Sequence, residues 1–145
     1  MKTLFEEKHL ACYFDEEERI VYHKWLNKAI GEDFRSGLLK VCNEYIKLKK
    51  TILGLHWLAD TQELSVLPLD DQKWLDEVWN DTIFVKAGVR SHAVIVGNDV
   101  FARYAMEKFK KTMTQKYAAQ NILLETFKDE KDAYQWFKRL NTIAA

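Results

Sequence analysis

Residues 57–75 of the chain are WLADTQELSVLPLDDQKWL. The apolar start of this stretch indicates the end of a buried strand, the polar middle a loop, and the apolar spacing after Asp70 an amphipathic helix. In open α/β folds, the junction between the carboxyl end of a strand and the next helix is where ligands bind. The stretch therefore predicts the fold class and also the first place to look for a functional site.

Composition limits the kind of partner that this chain can have. Its 145 residues include 22 basic and 22 acidic side chains, so the formal net charge is zero. Nucleic-acid binding relies on an excess of basic residues, and we therefore expect no nucleic-acid partner. No apolar run approaches the ~20 residues that span a bilayer. The N-terminal MKTLFEEKHL also lacks the apolar core of a secretion signal, so we expect a cytoplasmic protein with Cys12 and Cys42 as buried free thiols.

Apolar runs and apolar periodicity predict one domain over residues 1–145. Runs rich in β-branched and aromatic residues predict five strands, at 9–14, 19–26, 51–58, 91–97 and 122–127. Apolar residues at three- and four-residue spacing predict four helices, at 31–48, at 70–86, from a cap at Asn98 or Asp99 to about 117, and from about 130 onward. We expect Phe101, Ala105, Phe109 and Met113 to face inward from the third helix, and Ala133, Tyr134, Trp136, Phe137 and Leu140 from the fourth.

The order of these elements is β-β-α-β-α-β-α-β-α. The first two strands are separated by a short acidic connection, which is typical of an antiparallel hairpin. The later strands are separated by helices and should be parallel, joined by right-handed crossovers. The prediction is an α/β fold with a mixed five-stranded sheet in roughly sequential order. Every crossover helix would then lie on the same face, so the helices would pack mainly on one face and leave the other partly open.

This element order resembles that of the STAS domain, the fold of the sporulation anti-sigma-factor antagonists. The resemblance rests also on LADTQELSVLPLDDQKWLDEVW after the third strand, on SHAVIVGNDVFARYAMEKF, and on the closing TFKDEKDAYQWFKRL. It covers nearly the whole chain and is closer to small stand-alone bacterial relatives, sometimes grouped with Sec14/CRAL-TRIO-like proteins. The resemblance implies a STAS-like fold and a non-catalytic interaction or regulatory module that docks a protein partner or self-associates.

The same resemblance indicates a candidate regulatory loop. In the regulatory STAS members, a partner kinase phosphorylates a Ser or Thr within an Asp-Ser-Ser-Gly turn that opens the helix after the third strand. The positive end of a helix tolerates a phosphate there. The corresponding region contains Asp60 and Thr61, but no Ser-Ser-Gly follows, and the loop continues through Ser65 to Pro68. We interpret Asp60, Thr61, Ser65 and Asp70 as an interaction or phospho-acceptor loop.

The acidic residues of this loop also have a purely structural interpretation. Asp60 would end a buried strand and accept hydrogen bonds from its own turn. Asp70 and Asp71 would cap the helix that they begin, because carboxylates there accept free N–H groups and oppose the helix dipole. Catalysis by Asp60 with His56 is disfavoured, because residues four apart on one strand share a face but are well separated along it. We therefore expect no enzyme.

Histidine and tryptophan side chains supply a second candidate surface. None of the four histidines has the spacing of a metal motif such as HExxH, and no glycine-rich nucleotide loop is present, so we expect no metal and no cofactor. His23, Trp25, His56 and Trp57 lie in predicted strands and are candidates for the open sheet face. Exposed aromatic rings there would bind an acyl chain or a partner helix, or bury themselves in a dimer. The alternative function is therefore a small carrier or sensor of an apolar ligand such as a lipid.

Overall fold

The computed structural model describes residues 1–97 and 100–144, in which a six-stranded mixed sheet has helices on both faces. The strands are β1 (Lys2–Glu6), β2 (Leu10–Asp15), β3 (Ile20–Trp25), β4 (His56–Asp60), β5 (Ser91–Ile95) and β6 (Leu123–Phe127). The helices are α1 (Gly31–Lys49), α2 (Leu69–Trp74), α3 (Val100–Lys116) and α4 (Glu130–Ala144). The predicted cap of α3 at Asn98 or Asp99 lies outside the described residues.

The strands lie side by side in sequential order, as predicted. β1, β2 and β3 are antiparallel neighbours, and β3 to β6 are parallel neighbours. The predicted count of five strands is corrected to six, because β1 pairs with β2 in the described chain. The sequence KTLFE shows no clean apolar alternation, because β1 is an edge strand whose residues are exposed or half-buried. β4 is also displaced from the prediction, since residues 51–55 form turns in which Leu53 is 90% exposed.

The predicted helix at 70–86 is present, but much of it has wider turns than an α-helix. After α2, the chain continues as two π-helical segments, Leu75–Trp79 and Thr82–Lys86. A π-helix has more residues per turn, which brings side chains five apart above one another. The rings of Trp74 and Trp79 stack in this way, with centroids 5.9 Å apart and planes inclined by 20°.

The larger core lies between the sheet and the crossover helices. α1, α2 with its π-helical segments, and α3 all contribute side chains to one buried cluster with residues of every strand from β2 to β6. Trp25 stacks on Phe34 of α1, and Trp57 lies against Tyr45 of α1. The prediction that the crossover helices share one face is therefore confirmed.

The second face of the sheet is covered by α4. Ile20, Leu58 and Ile95 are fully buried there against Phe137. The five side chains expected to face inward from this helix all pack in or against the same cluster, namely Ala133, Tyr134, Trp136, Phe137 and Leu140. Three helices therefore lie on one face and one on the other, and α4 folds back across β4, β5 and β6, so no open face is left over these strands.

The inward face of α3 differs from the predicted one. Phe101 is 87% exposed and Ala105 is exposed, whereas Met106, Phe109 and Met113 pack on the core. A stripe with four-residue spacing drifts by about 40° per step around an α-helix, so it cannot stay on one face along the whole helix.

Within residues 1–97 and 100–144, no helix combines the length and the apolar composition needed to cross a bilayer.

Candidate functional site

The carboxyl ends of the parallel strands form the edge at which the predicted loop begins. Asp60 ends β4 and is 3% exposed. Its Oδ1 accepts hydrogen bonds from the backbone N–H of Gln62 at 3.1 Å and from the Gln62 side-chain amide at 3.1 Å. This is the turn-forming role of a short acidic residue. The carboxylate of Asp60 is therefore engaged within its own turn.

A tyrosine hydroxyl lies between two carboxylates beside this turn. Tyr22 of β3 donates a hydrogen bond to Glu130 Oε2 at 3.0 Å, and its hydroxyl is 3.5 Å from Asp60 Oδ2. Burial, followed by the charges of Glu130 and Asp60, raises the pKa of Tyr22 well above its ordinary value. The hydroxyl therefore stays protonated and acts as a donor. Because Glu130 is the first residue of α4, this contact attaches the start of α4 to the sheet.

The two hydroxyl residues of the loop have different environments. Thr61 is half-buried, and both its backbone N–H and its hydroxyl donate to the carbonyl of Ile95, at 3.0 and 2.9 Å. Ser65 is exposed and has a φ of 69°, in the left-handed region that few non-glycine residues adopt. The hydroxyl of Thr61 thus helps to hold the loops after β4 and β5 together, whereas that of Ser65 is accessible.

The predicted capping role of Asp70 and Asp71 in their own helix is wrong. The N-cap of α2 is Pro68, and no side chain caps this helix. Asp71 is 1% exposed and accepts hydrogen bonds from the backbone N–H of Gly31 at 2.8 Å and from Arg35 Nε at 2.9 Å. It therefore satisfies a free N–H at the start of α1, while Asp70 is exposed.

The structure buries all four candidates for an open sheet face, so that interpretation is corrected. His23, Trp25 and Trp57 belong to the face covered by α1 and α2, with exposures of 3%, 1% and 0%. His56 is 6% exposed and packs on Phe137 of α4, on the other face. Consecutive strand residues point to opposite faces, so His56 and Trp57 cannot share one surface. None of the four contributes to an exposed face.

Two of these buried side chains, His23 and Trp57, form a polar group with His92 inside the apolar core. Trp57 Nε1 donates to His23 Nδ1 at 2.8 Å, and His92 Nδ1 donates to the Trp57 carbonyl at 3.0 Å. Burial, and then the charge of His92, lowers the pKa of His23 to about 3; burial lowers that of His92 to about 4. Both rings are therefore neutral at ordinary pH, and their partners hold them in different tautomers.

A second polar group lies at the opposite edge, where α4 ends. His56 Nδ1 is 2.5 Å from Ser91 Oγ, and His56 Nε2 is 2.7 Å from Asn141 Oδ1. Since the amide oxygen of Asn141 is an acceptor, the His56 proton lies on Nε2, and the Ser91 hydroxyl donates to Nδ1. Asn141 also accepts from Arg19 at 2.7 Å. Ser91 and His56 are buried, so the group attaches α4 to the sheet rather than presenting a nucleophile.

No metal centre is formed by the side chains in residues 1–97 and 100–144. No group of three or more His, Cys, Asp or Glu residues there is arranged to hold a metal ion. Cys12 and Cys42 are buried free thiols. Burial, and then the charge of Glu44, raises the pKa of Cys12 to about 12, which keeps this thiol protonated.

Exposed apolar side chains at the carboxyl edge were missed by the sequence reasoning. We call Val66, Leu69, Val100, Phe101 and Tyr104 the carboxyl-edge patch; their exposed fractions are 82%, 80%, 74%, 87% and 75%. The only signals in the sequence were the apolar residues of the loop before α2. Phe101 had been assigned to the core because aromatic residues at helical spacing usually face inward.

The topology of the fold places the two segments that carry the patch at the same edge of the sheet. α2 and α3 are successive crossovers between parallel strands, so both begin at the carboxyl edge and run in the same direction. The rings of Phe84 and Tyr117, at the far ends of the two crossovers, lie 5.2 Å apart. At the carboxyl edge, a Cβ added at Gly97 would lie 3.4 Å from Gln62, so the loops before the two helices are in contact.

The comparisons with known proteins concern the fold. A solved structure that is similar to this chain is an uncharacterized protein from the DUF3478 family with a SpoIIAA-like fold, from Shewanella loihica PV-4. The match covers 92% of this chain and 98% of that chain, with 17% sequence identity and a TM-score of 0.55. It shows a SpoIIAA-like fold, the STAS type that the sequence resembles. No protein-family model and no curated protein matches the chain.

Proposed function

We propose that this chain, with its SpoIIAA-like fold of STAS type, is a non-catalytic interaction or regulatory module that docks a protein partner or self-associates. The observation that carries the proposal is the carboxyl-edge patch. Monomeric soluble proteins rarely keep several large apolar side chains exposed together, and such patches mark interaction sites. The five residues of the patch are at least 74% exposed and belong to two segments that begin at the same edge of the sheet.

The charges around the patch favour a protein partner. Glu63 and Asp70 are exposed on the side of the loop, and Arg103 and Lys108 are exposed on the side of α3. An apolar centre with a rim of both charge signs is typical of protein interfaces.

The polar side chains at the same edge support a role without catalysis. Asp60, Tyr22 and Glu130 are hydrogen-bonded with one another or with the following turn, and Thr61 is bonded to Ile95. A general acid or base has to reach a substrate atom, directly or through one water. Because these groups are engaged within the protein, we assign them to holding the turn after β4 and the start of α4 in place.

If phosphorylation regulates the proposed docking, we expect it at Ser65 rather than at Thr61. A phosphate on Thr61 would break its hydrogen bond to Ile95, whereas Ser65 is exposed in the loop that carries Val66. A phosphate adds nearly two negative charges and strong acceptor oxygens, which would oppose an apolar contact beside it. We expect Ser65→Glu to fold normally and to bind the partner more weakly than Ser65→Ala. Equal binding by these two variants would remove Ser65 from the proposal.

The experiment that tests the docking uses one patch variant and one matched control. Phe101→Asp places a charge in the patch, and Leu53→Asp places one at an equally exposed apolar residue in the turn before β4. Proteins captured from the host by the wild-type chain would be purified and titrated against all three chains by calorimetry. We expect Phe101→Asp to weaken binding about tenfold or more, as for a residue central to an interface, and Leu53→Asp to leave it unchanged.

Docking at the carboxyl-edge patch would be contradicted by the following result. A purified partner that binds both variants as tightly as the wild type does not dock at the patch. Light scattering on the same samples separates self-association, because a wild-type dimer that Phe101→Asp makes monomeric identifies a second copy as the partner. The alternative function, a carrier or sensor of an apolar ligand, required exposed aromatic rings on the sheet. Trp25 and Trp57 do not provide them, because both are buried in the core. An apolar ligand found by native mass spectrometry on gently extracted protein would restore this alternative.

A further inference from the structure

α3 carries an unusual concentration of positive charge. Its segment Val100–Lys116 contains five basic residues and one acidic residue, in a chain whose formal net charge is zero. Most of the helix surface is exposed, since Met113 is the one residue that the structure buries among Val100–Lys116. The positive charge of this helix is therefore presented to solvent.

A shallow groove of about 660 Å³, widely open to solvent and lined by side chains of α3, runs along this helix. Its lining residues follow one helical face and include Tyr104, Glu107, Lys108, Lys110 and Lys111. Because Tyr104 also belongs to the carboxyl-edge patch, the groove is continuous with the patch. A partner bound at the patch would therefore also be able to contact the groove.

The charged residues of the groove divide into paired and unpaired ones. Lys110 Nζ is 2.8 Å from Glu125 Oε1, and Glu107 Oε1 accepts from the Thr126 hydroxyl at 2.8 Å. These two contacts fasten α3 to β6. In residues 1–97 and 100–144, the side chains of Lys108 and Lys111 have no hydrogen bond or ion pair, and both residues are exposed. Two lysines three apart on a helix lie on the same face.

We infer that the groove along α3 binds an acidic segment of a protein partner, whose apolar residues contact Phe101 and Tyr104 while its carboxylates pair with Lys108 and Lys111. The inference rests on the proposed function, since it gives the chemistry of the partner that the module docks. Complementary charge steers association and fixes the register of a bound segment. Phe101 and Tyr104 supply apolar contact area that loses water on binding. The two lysines alone do not supply such area.

The test is a selection from a random peptide library displayed on phage, performed on the immobilised full chain. We expect enrichment of peptides with an excess of Asp and Glu and at least one aromatic residue. A synthesised peptide from this set should lose about tenfold or more in affinity with the double variant Lys108→Glu/Lys111→Glu. The control is Lys50→Glu/Lys138→Glu, which makes the same change in net charge at two exposed lysines outside α3.

Each result bears on the inference. Enriched peptides without acidic character, or equal loss of affinity in the two double variants, would overturn it. Binding to phosphatidylglycerol vesicles in the absence of peptide binding would also overturn it, because the ligand would then be a lipid surface. A purified partner that is sensitive to Phe101→Asp but not to Lys108→Glu/Lys111→Glu would leave the docking proposal standing and reject the acidic segment.

Discussion

The indole N–H of Trp57 donates a hydrogen bond to Nδ1 of His23 across the β3–β4 pair, over 2.8 Å. Both side chains are buried beneath α1 and α2, and their rings meet edge to face with centroids 5.9 Å apart. A Trp in a core needs a partner for its N–H, and a buried neutral His needs a donor for its bare nitrogen. Each of these residues satisfies the other, so they behave as one unit.

Replacement of Trp57 should separate its packing from its hydrogen bond. Trp57→Phe keeps most of the buried ring but leaves His23 Nδ1 without its donor, and we expect a loss of about 1–3 kcal/mol in the free energy of unfolding. Trp57→Ala also creates a cavity and should cost about 3–5 kcal/mol. Urea unfolding followed by circular dichroism measures both. Losses below 0.5 kcal/mol would contradict the burial of this side chain.

The core histidines His23 and His92 predict a loss of stability in acid. Their pKa values are about 3 and about 4 in the folded chain, against 6.5 for an ordinary histidine. Below pH 6.5 the unfolded chain therefore binds protons that the folded chain does not, and stability falls as the pH falls toward 4. Each histidine should contribute about 1 kcal/mol per pH unit in this range. Stability that is constant between pH 7 and pH 5 would contradict the prediction.

Proton NMR gives a residue-level check of the same histidines. The ring signals of His23 and His92 should not titrate between pH 7 and pH 5 while the chain is folded. If either signal shifts with a midpoint near 6.5, that ring is accessible to solvent in the folded protein.

Asp71 and its neighbour Asp70 form a matched pair for mutation. Asp71→Ala removes the acceptor for the Gly31 N–H and for Arg35, and should lower the free energy of unfolding by about 2–3 kcal/mol. Arg35 is half-buried and can reach water, which limits the loss. Asp70→Ala should change stability by less than about 0.5 kcal/mol, because Asp70 is exposed. Equal effects of the two substitutions in thermal unfolding would disprove the link between α1 and α2.

Asn141 should control how firmly the end of α4 is held. Asn141→Ala removes the acceptor for His56 and Arg19, and we expect a loss of about 1–2 kcal/mol. Hydrogen exchange of the amides at the end of α4 should become faster, with little change in α1. Thr142→Ala is the control, since the Thr142 hydroxyl donates to the carbonyl of Lys138 within the same helix. Unchanged exchange in Asn141→Ala would show that the Asn141 hydrogen bonds do not hold the end of α4.

Much of the fold followed from apolar patterning. The crossover helices, the sequential strand order and the inward face of α4 were all predicted, because burial of one face imposes a periodicity of 2 or 3.6 on the sequence. β1 was missed for the same reason, since an edge strand such as Lys2–Glu6 buries too little to show this pattern. Periodicity also shows that α4 has an apolar face without showing which side of the sheet receives it.

The candidate site was predictable in position but not in its contacts. The sequence identified the loop after β4, and the structure places exposed apolar residues there. The partner of Asp71 is 40 residues earlier in the chain, and no local pattern identifies such a contact. His56 and Trp57 were both candidates for an open face, and strand alternation allows at most one of them to belong to it. Both are buried, because helices cover each face of the sheet at this position.

The sequential order of the sheet has a consequence for synthesis. Each strand pairs with the one translated just before it, so every new strand meets a partner that has already left the ribosome. α4 is different, because it follows all six strands and yet covers a face to which β3, β4, β5 and β6 all contribute. Until its residues emerge, Ile20, Leu58 and Ile95 have no cover on the nascent chain. We expect the growing polypeptide to be most prone to aggregation in that interval, because the apolar face that Phe137 later covers is then exposed.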